Sequence, residues 1–243
     1  MKFDDIKKLH QKRYREEFGH YLVEGEHLVD ELQKAAATNP ALKASEVFIT
    51  ADRDSWQGRL TVRTITASQM AQLSETKTPQ GIVALVPRVP PPAARAGERA
   101  VYLNEVQDPG NLGTILRTLA WFGGFRCLLS PGSVDPYNPK VIRASMGAIF
   151  HVPLEEEVDA AVLQGRYRNI ASLELAGDSI AADAFRLHDC YVFGNEARGL
   201  PADVFRGLQA TPFTIAGREG VESLNLAAAV NMCVYELNRE SRS

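Results

Sequence analysis

Two α/β domains joined by a short linker, the larger built on a mostly parallel sheet, are predicted from three observations. From residue 100 onward, short apolar runs alternate with helical patterns, which is how a parallel sheet covered by helices reads. Residues 87–99 (PRVPPPAARAGER) are rich in Pro and Ala and lack bulky apolar side chains, so they read as a semi-rigid linker. Ahead of that stretch the chain has strand and helix patterns of its own, enough for a small α/β domain over residues 1–86. This leaves 100–243 for the larger domain, and 243 residues suffice for both cores.

In the first domain a polar N-terminal helix precedes the apolar run Tyr21–Val23. A helix near Glu26–Ala37 follows, because Leu28, Val29, Leu32 and Ala36 recur at helical spacing. Strands near Val47–Thr50 and Ile82–Val86 enclose a short helix around Ser68–Leu73. In the second domain the order is a strand Val101–Val106, a helix from Asn111, a strand Phe125–Leu129, and helices near Pro139–Met146 and Glu155–Leu163. Strands Asn169–Leu173 and Tyr191–Phe193 follow, and a last helix runs from Leu226 to Leu237.

Composition narrows the function. A net charge of -3 excludes the basic field of a non-specific nucleic-acid coat, yet leaves room for a local basic face. The first fifteen residues hold Lys2, Lys7, Lys8, Lys12, Arg13 and Arg15 against Asp4 and Asp5, which suits either a solvated helix or an RNA contact. No apolar run reaches the length of a membrane span, and the first residues lack the apolar core of a signal peptide, so a cytoplasmic protein is expected. Cys127, Cys190 and Cys233 stand alone in apolar stretches without metal-ligand spacing, so buried reduced thiols are expected and no metal.

Three blocks carry the chemistry: Asn104–Thr118 (NEVQDPGNLGTILRT), Phe193–Pro201 (FGNEARGLP) and Gly220–Leu226 (GVESLNL). Each is a strand end passing into a Gly/Asn-rich turn, where open α/β sheets place ligands. In the first, Asn111 reads as an N-cap. Leu112, Ile115, Leu116, Leu119 and Ala120 form one stripe, from which Arg117 projects roughly 130° away. By themselves Arg117 and Glu196 fit plain surface charges, the glycines fit turn formers, and Ser223 and Asn225 fit helix caps. No G-x-G-x-x-G follows an early strand, which disfavours a dinucleotide-binding enzyme.

In this order the three blocks resemble the SpoU (TrmH-like) family of RNA ribose 2'-O-methyltransferases, of the knotted SPOUT class. The resemblance covers roughly residues 100 to 240. It implies a C-terminal trefoil knot and S-adenosylmethionine as methyl donor, with the catalytic set Arg117, Asn111, Glu196, Ser223 and Asn225. Gly194, Asn195, Gly199, Ile215, Ser223 and Leu224 would hold the donor, and Glu196 would lie near Arg117 or an arginine of a partner subunit. The string KRYREEFGHYLVEGEHLVDEL resembles the start of an L30e-like substrate-binding domain. RNA contacts are expected at Arg13 and Arg15, and at Lys140 and Arg143, three apart on one helix side.

The chain departs from the family at Ile215-Ala216-Gly217, where Ile-Pro-Met is usual, which loosens the donor loop. The reaction expected is 2'-O-methylation of structured RNA, rRNA ahead of tRNA, with a non-catalytic RNA-binding or assembly protein as the alternative. A homodimer is expected through the last helix, which is apolar over much of its circumference.

Overall fold

The computed structural model of the protein describes residues 1–201, 207–218 and 223–239. Chain contacts divide it into two units, Met1–Pro90 with Asp135–His151, and Pro91–Val134 with Val152–Ser243.

The first unit begins with helices α1 (Phe3–Ile6) and α2 (Lys12–Phe18), strand β1 (His20–Glu24) and helix α3 (Glu26–Thr38). Strands β2 (Glu46–Ile49) and β3 (Thr61–Thr64), helix α4 (Ala67–Leu73) and strand β4 (Ile82–Pro87) follow. The sheet order is β1-β4-β2-β3, with β4 antiparallel to both neighbours and β2 parallel to β3. The strand period of two sorts the core into two layers. Tyr21, Val23, Val47, Ile49, Ile82, Ala84 and Val86 pack with the Leu28, Val29, Leu32, Ala35 and Ala36 stripe of α3. On the other face Leu22, Phe48, Val83 and Leu85 pack with Ile6, Leu9, Met70 and Leu73. Thr66 and Gln69 close a capping box at the start of α4. Strand β3 was not anticipated, because all four of its residues are exposed and show no apolar alternation.

In the second unit strand β5 (Arg99–Leu103) leads through helix α5 (Pro109–Phe122) to strand β6 (Phe125–Leu129). The chain then forms helix α6 (Pro139–Ser145), whose segment, residues 135–151, groups with the first unit rather than with its sequence neighbours. There Ile142 joins the α3 core, the Tyr137 ring packs tilted against Tyr21 at 4.6 Å, and the Arg88 guanidinium lies 4.7 Å above Tyr137. The first unit is therefore discontinuous in sequence, whereas a linear division at residues 87–99 was expected.

The second unit continues with strand β7 (Leu154–Glu155), helix α7 (Leu163–Arg166), strands β8 (Ile170–Ser179), β9 (Cys190–Phe193) and β10 (Thr211–Thr214), and helix α8 (Leu226–Asn238). All pairs in the order β10-β8-β9-β5-β6-β7 are parallel. Central strands read as unbroken apolar runs because both faces are covered, and every residue of β6 and β9 is buried. The helix expected near Glu155–Leu163 is replaced by β7, a 3-10 turn over Ala160–Val162 and the short α7. Glu157 takes a left-handed conformation at φ 56° and Asp159 caps the turn by accepting from Ala161 N–H, so a continuous helix cannot form.

Residues 87–99 are more tightly held than a linker reading implies. Pro87 closes β4 and Arg99 opens β5. Arg126, 3% exposed, donates to the Pro92 carbonyl (2.7 Å), Glu98 (3.0 Å) and Glu155 (2.7 Å), which pins the second half of that stretch. The knot expected near the C-terminus falls on a stretch that includes residues 202–206 and 219–222, outside the described residues. Among the described residues no helix is long and apolar enough to cross a membrane.

Candidate active site at the strand ends

Strand order places the site. From β5 the chain proceeds to β6 and β7 on one side, while β9, β8 and β10 lie on the other, so the direction of winding reverses between β5 and β9. Ligand crevices open at such reversals, beyond the C-terminal strand ends. The turns leaving β5 (Asn104–Asp108) and β9 (Gly194–Gly199) meet there.

Helix α5 starts one residue after Asp108, which caps it by accepting the Asn111 N–H at 2.7 Å, with Pro109 in the first turn. The expected cap at Asn111 is thus corrected. Asn111 is the third helical residue, and its side chain is left for other partners. Its Nδ2 donates to Glu196 at 3.2 Å, and its Oδ1 accepts from Asn225 Nδ2 at 2.9 Å. Asn225 in turn caps α8 through Oδ1, which accepts the Ala228 N–H at 3.2 Å. The half-buried Glu196 carboxylate also accepts the backbone N–H groups of Gln107 and Asp108, both at 3.2 Å. Its expected bridge to Arg117 does not form within the chain.

A second hydrogen bond, from Thr118 to Asn231, joins α5 and α8 farther along. Asn111 before Thr118 on one helix faces Asn225 before Asn231 on the other, so the two run in the same direction. Both helix N-termini, with their partial positive charge, therefore gather at the strand ends, a setting that favours anionic ligands. On α5 the residues Leu112, Ile115, Leu116 and Leu119 are buried, and Arg117 is exposed as the spacing predicts. Among the described residues Arg117 has no hydrogen-bond or ion-pair partner.

The turn after β9 is closed by main-chain contacts. Asn195 and Gly199 exchange N–H···O bonds of 3.0 and 2.9 Å, and Gly199 is left-handed at φ 66°. A Cβ at Gly194 would lie 2.2 Å from the Gly199 carbonyl carbon, so only glycine fits there. Asn195 is buried at 7% exposure. It accepts the N–H groups of Ala197 (3.0 Å) and Arg198 (3.1 Å) and donates to the Glu105 carbonyl (2.7 Å).

Ile215 follows β10 and is half-buried, whereas Ser223 and Leu224 are exposed just before the Asn225 cap. Gly220, Val221 and Glu222 of the third block lie outside the described residues. One apolar candidate was missed: Leu175 is 82% exposed on β8, and its carbonyl accepts from Thr214 Oγ1 at 3.1 Å, next to Ile215. The LELAG run around it carried only a strand signal, and the irregular β8–β10 register that exposes Leu175 cannot be read from spacing. Leu175 and Leu224 are exposed and Ile215 is half-buried.

The four expected RNA contacts all belong to the first unit and divide unevenly. Arg13, Lys140 and Arg143 are exposed. Arg15 is a correction: it is 4% exposed, and its guanidinium donates to Asp135 (2.9 Å from Nε, 2.5 Å from Nη2) and to the Leu9 carbonyl (2.7 Å). A buried charge requires such partners, so this arginine is part of the first unit's interior. The three cysteines are buried, and burial raises their thiols, Cys127 and Cys233 to about 12 and Cys190 further still.

The profile of the SpoU rRNA Methylase family matches residues 98–235, and that of the MRM3-like substrate binding domain matches residues 2–84. The 23S rRNA (guanosine(2553)-2'-O)-methyltransferase RlmP of Bacillus subtilis is 30% identical over 97% of this chain and 95% of its own length. An uncharacterized tRNA/rRNA methyltransferase of Synechocystis is 32% identical over 97% of this chain and 89% of its own. The solved structure of an AdoMet-bound rRNA methyltransferase from Sinorhizobium meliloti matches at TM-score 0.80 and 26% identity, covering 99% of this chain and 95% of that one. With Glu196, Asn111 and Asn225 linked at the strand ends and a family match spanning more than half its length, the chain belongs to the SpoU rRNA Methylase family.

Proposed function

We propose that this protein transfers a methyl group from S-adenosylmethionine to a ribose 2'-hydroxyl of ribosomal RNA. The observation that carries the reading is the linked set Glu196–Asn111–Asn225, which joins all three sequence blocks at the sheet's winding reversal. The donor, when bound, supplies a methyl group already activated on a sulfonium, so the chain's task is chiefly to position the hydroxyl in line with it.

Gly194, Asn195 and Gly199 would enclose the donor with main-chain groups, and Ile215, Leu224 and Leu175 would form its apolar wall, with Ser223 at the edge. Asn111 is held at both ends of its amide and sets the floor on which the ribose rests. Arg117, exposed and unpaired among the described residues, engages the target nucleotide's phosphate and stabilises negative charge growing on the 2'-oxygen as its proton leaves. A guanidinium has donors and no acceptor, so charge stabilisation suits it better than proton removal. Arg13, Lys140 and Arg143 of the first unit supply further phosphate contacts.

A symmetric homodimer belongs to the same reading. Trp121 of α5 is 79% exposed, and Met232 and Tyr235 of α8 are 43% and 58% exposed, on two helices that pack together. Such an apolar surface suits a two-fold partner.

Incubation of the full chain with labelled S-adenosylmethionine and unmodified rRNA tests the function. Label in ribose 2'-O-methyl nucleotides is the expected result. Donor binding without label in any rRNA would sink it.

A further inference from the structure

Glu105 holds a left-handed backbone conformation, φ 50°, without being glycine. Such residues gather at functional turns, where the surroundings enforce them. Here the surroundings are explicit. The Glu105 N–H donates to Ser130 Oγ at 2.7 Å, and its carbonyl accepts from Asn195 Nδ2 at 2.7 Å and Gln107 Nε2 at 3.0 Å. With the backbone fixed in this way, the carboxylate pairs with Arg198 Nη2. Asn195, which holds Glu105, also accepts the Arg198 N–H at 3.1 Å, so one buried side chain fixes the backbone at both ends of the ion pair.

The pair itself stands in water, with the Arg198 side chain 68% and the Glu105 side chain 39% exposed, and exposed pairs hold weakly. Arg198 lies two residues beyond Glu196, in the turn that borders the cleft. Neither the Glu196 network nor the apolar wall uses its guanidinium.

We infer that Arg198 is an RNA-phosphate contact at the rim of the site, kept in place by Glu105 and surrendered by it when a backbone phosphate arrives. The inference rests on the rRNA methyltransferase reading and adds an RNA-positioning residue to it. A guanidinium donates to phosphate oxygens as it does to carboxylate oxygens, so the Nη2 bond to Glu105 can be exchanged for one to a phosphate.

Binding of the full chain to an unmodified 23S rRNA transcript across a salt series tests the inference, with donor calorimetry and thermal melting alongside. Arg198→Ala is expected to weaken RNA binding about tenfold and to lower the log–log salt slope by about 0.7–0.9, the share of one phosphate. Donor affinity and melting temperature should match wild type, and Arg198→Lys should recover the salt slope. Glu105→Gln should tighten RNA binding a few-fold at low salt, and the double variant should lose that gain. Unaltered RNA affinity and slope in Arg198→Ala would overturn the proposal. So would a loss of donor affinity there, which would assign the guanidinium to the donor. Wild-type protein that binds donor but no transcript would overturn the rRNA reading, and the proposal with it.

Discussion

Asn225 donates to Asn111 at 2.9 Å, and this one bond ties the cap of the last helix to the first turn of α5. Because Asn111 also donates to Glu196, both ends of its amide are committed. Asn111→Asp would replace the donor toward Glu196 with a second carboxylate, leaving two like charges in contact. Methyl transfer should fall by about 100-fold or more, and stability by about 1–3 kcal/mol. Single-turnover kinetics and urea melts would show it. A variant with wild-type turnover would remove Asn111 from the site.

Arg117→Ala separates chemistry from folding. The side chain lies outside the buried stripe of α5, so stability should move by no more than about 0.5 kcal/mol, while transfer drops by about 100- to 1000-fold. Arg117→Lys should also be poor, since an ammonium cannot replace a planar fork. Melting, donor titration and activity measured on the same preparations decide the matter. Retained activity would discard the assignment.

Asp135→Ala leaves the buried Arg15 charge without its main partner and should cost about 3–5 kcal/mol. The joint replacement Arg15→Met with Asp135→Leu should recover much of that loss. On a linear domain division, deletion of residues 1–95 would leave a folded donor-binding domain. With the remainder of the first unit gone, Tyr137, Ile142, Ile149 and Phe150 lose their packing, so that chain should aggregate. A second deletion that also replaces 135–151 with a short Gly/Ser loop should stay soluble and bind donor. Light scattering and calorimetry distinguish the two.

Val230 of α8 is 0% exposed, so a charge there should unfold the protein and leave the proposed dimer untested. Trp121→Glu and Tyr235→Glu are the informative variants. Sedimentation across a concentration series should show wild-type dimers and variant monomers, with activity lost alongside. Monomeric wild-type protein of full activity at micromolar concentration would exclude the dimer.

The thiols predict a loss of stability in alkali. Burial raises Cys127 and Cys233 to about 12, whereas an unfolded thiol ionises near pH 8.5 to 9. In that window the native state retains protons that the unfolded state releases. The thiols' contribution is therefore whole below about pH 8.5 and shrinks as pH rises, by up to about 1.4 kcal/mol per pH unit for each thiol. Urea midpoints at pH 8, 9 and 10 should decline accordingly, and a flat series would show the thiols to be accessible.

The sequence made the buried elements legible and left the exposed or long-range ones obscure. α3, β6 and β9 are visible because burial imposes an apolar pattern, and the three site turns because they form a resemblance in order. β3 is obscure because water covers all four of its residues. The Arg15–Asp135 pair spans 120 positions, and no local spacing reports it. Asn111 resembles a cap in sequence, and only the geometry of Asp108 and Pro109 shows that the helix begins earlier.

The discontinuous first unit also bears on synthesis. Its N-terminal ninety residues leave the ribosome with a seat for Ile142 and Tyr137 still empty, and some forty residues, including β5, α5 and β6, must follow before that seat can be filled. At about 5–20 residues per second the gap lasts several seconds. During it a nascent hydrophobic surface is open to chaperones, and the first unit is completed only after its successor has begun to form.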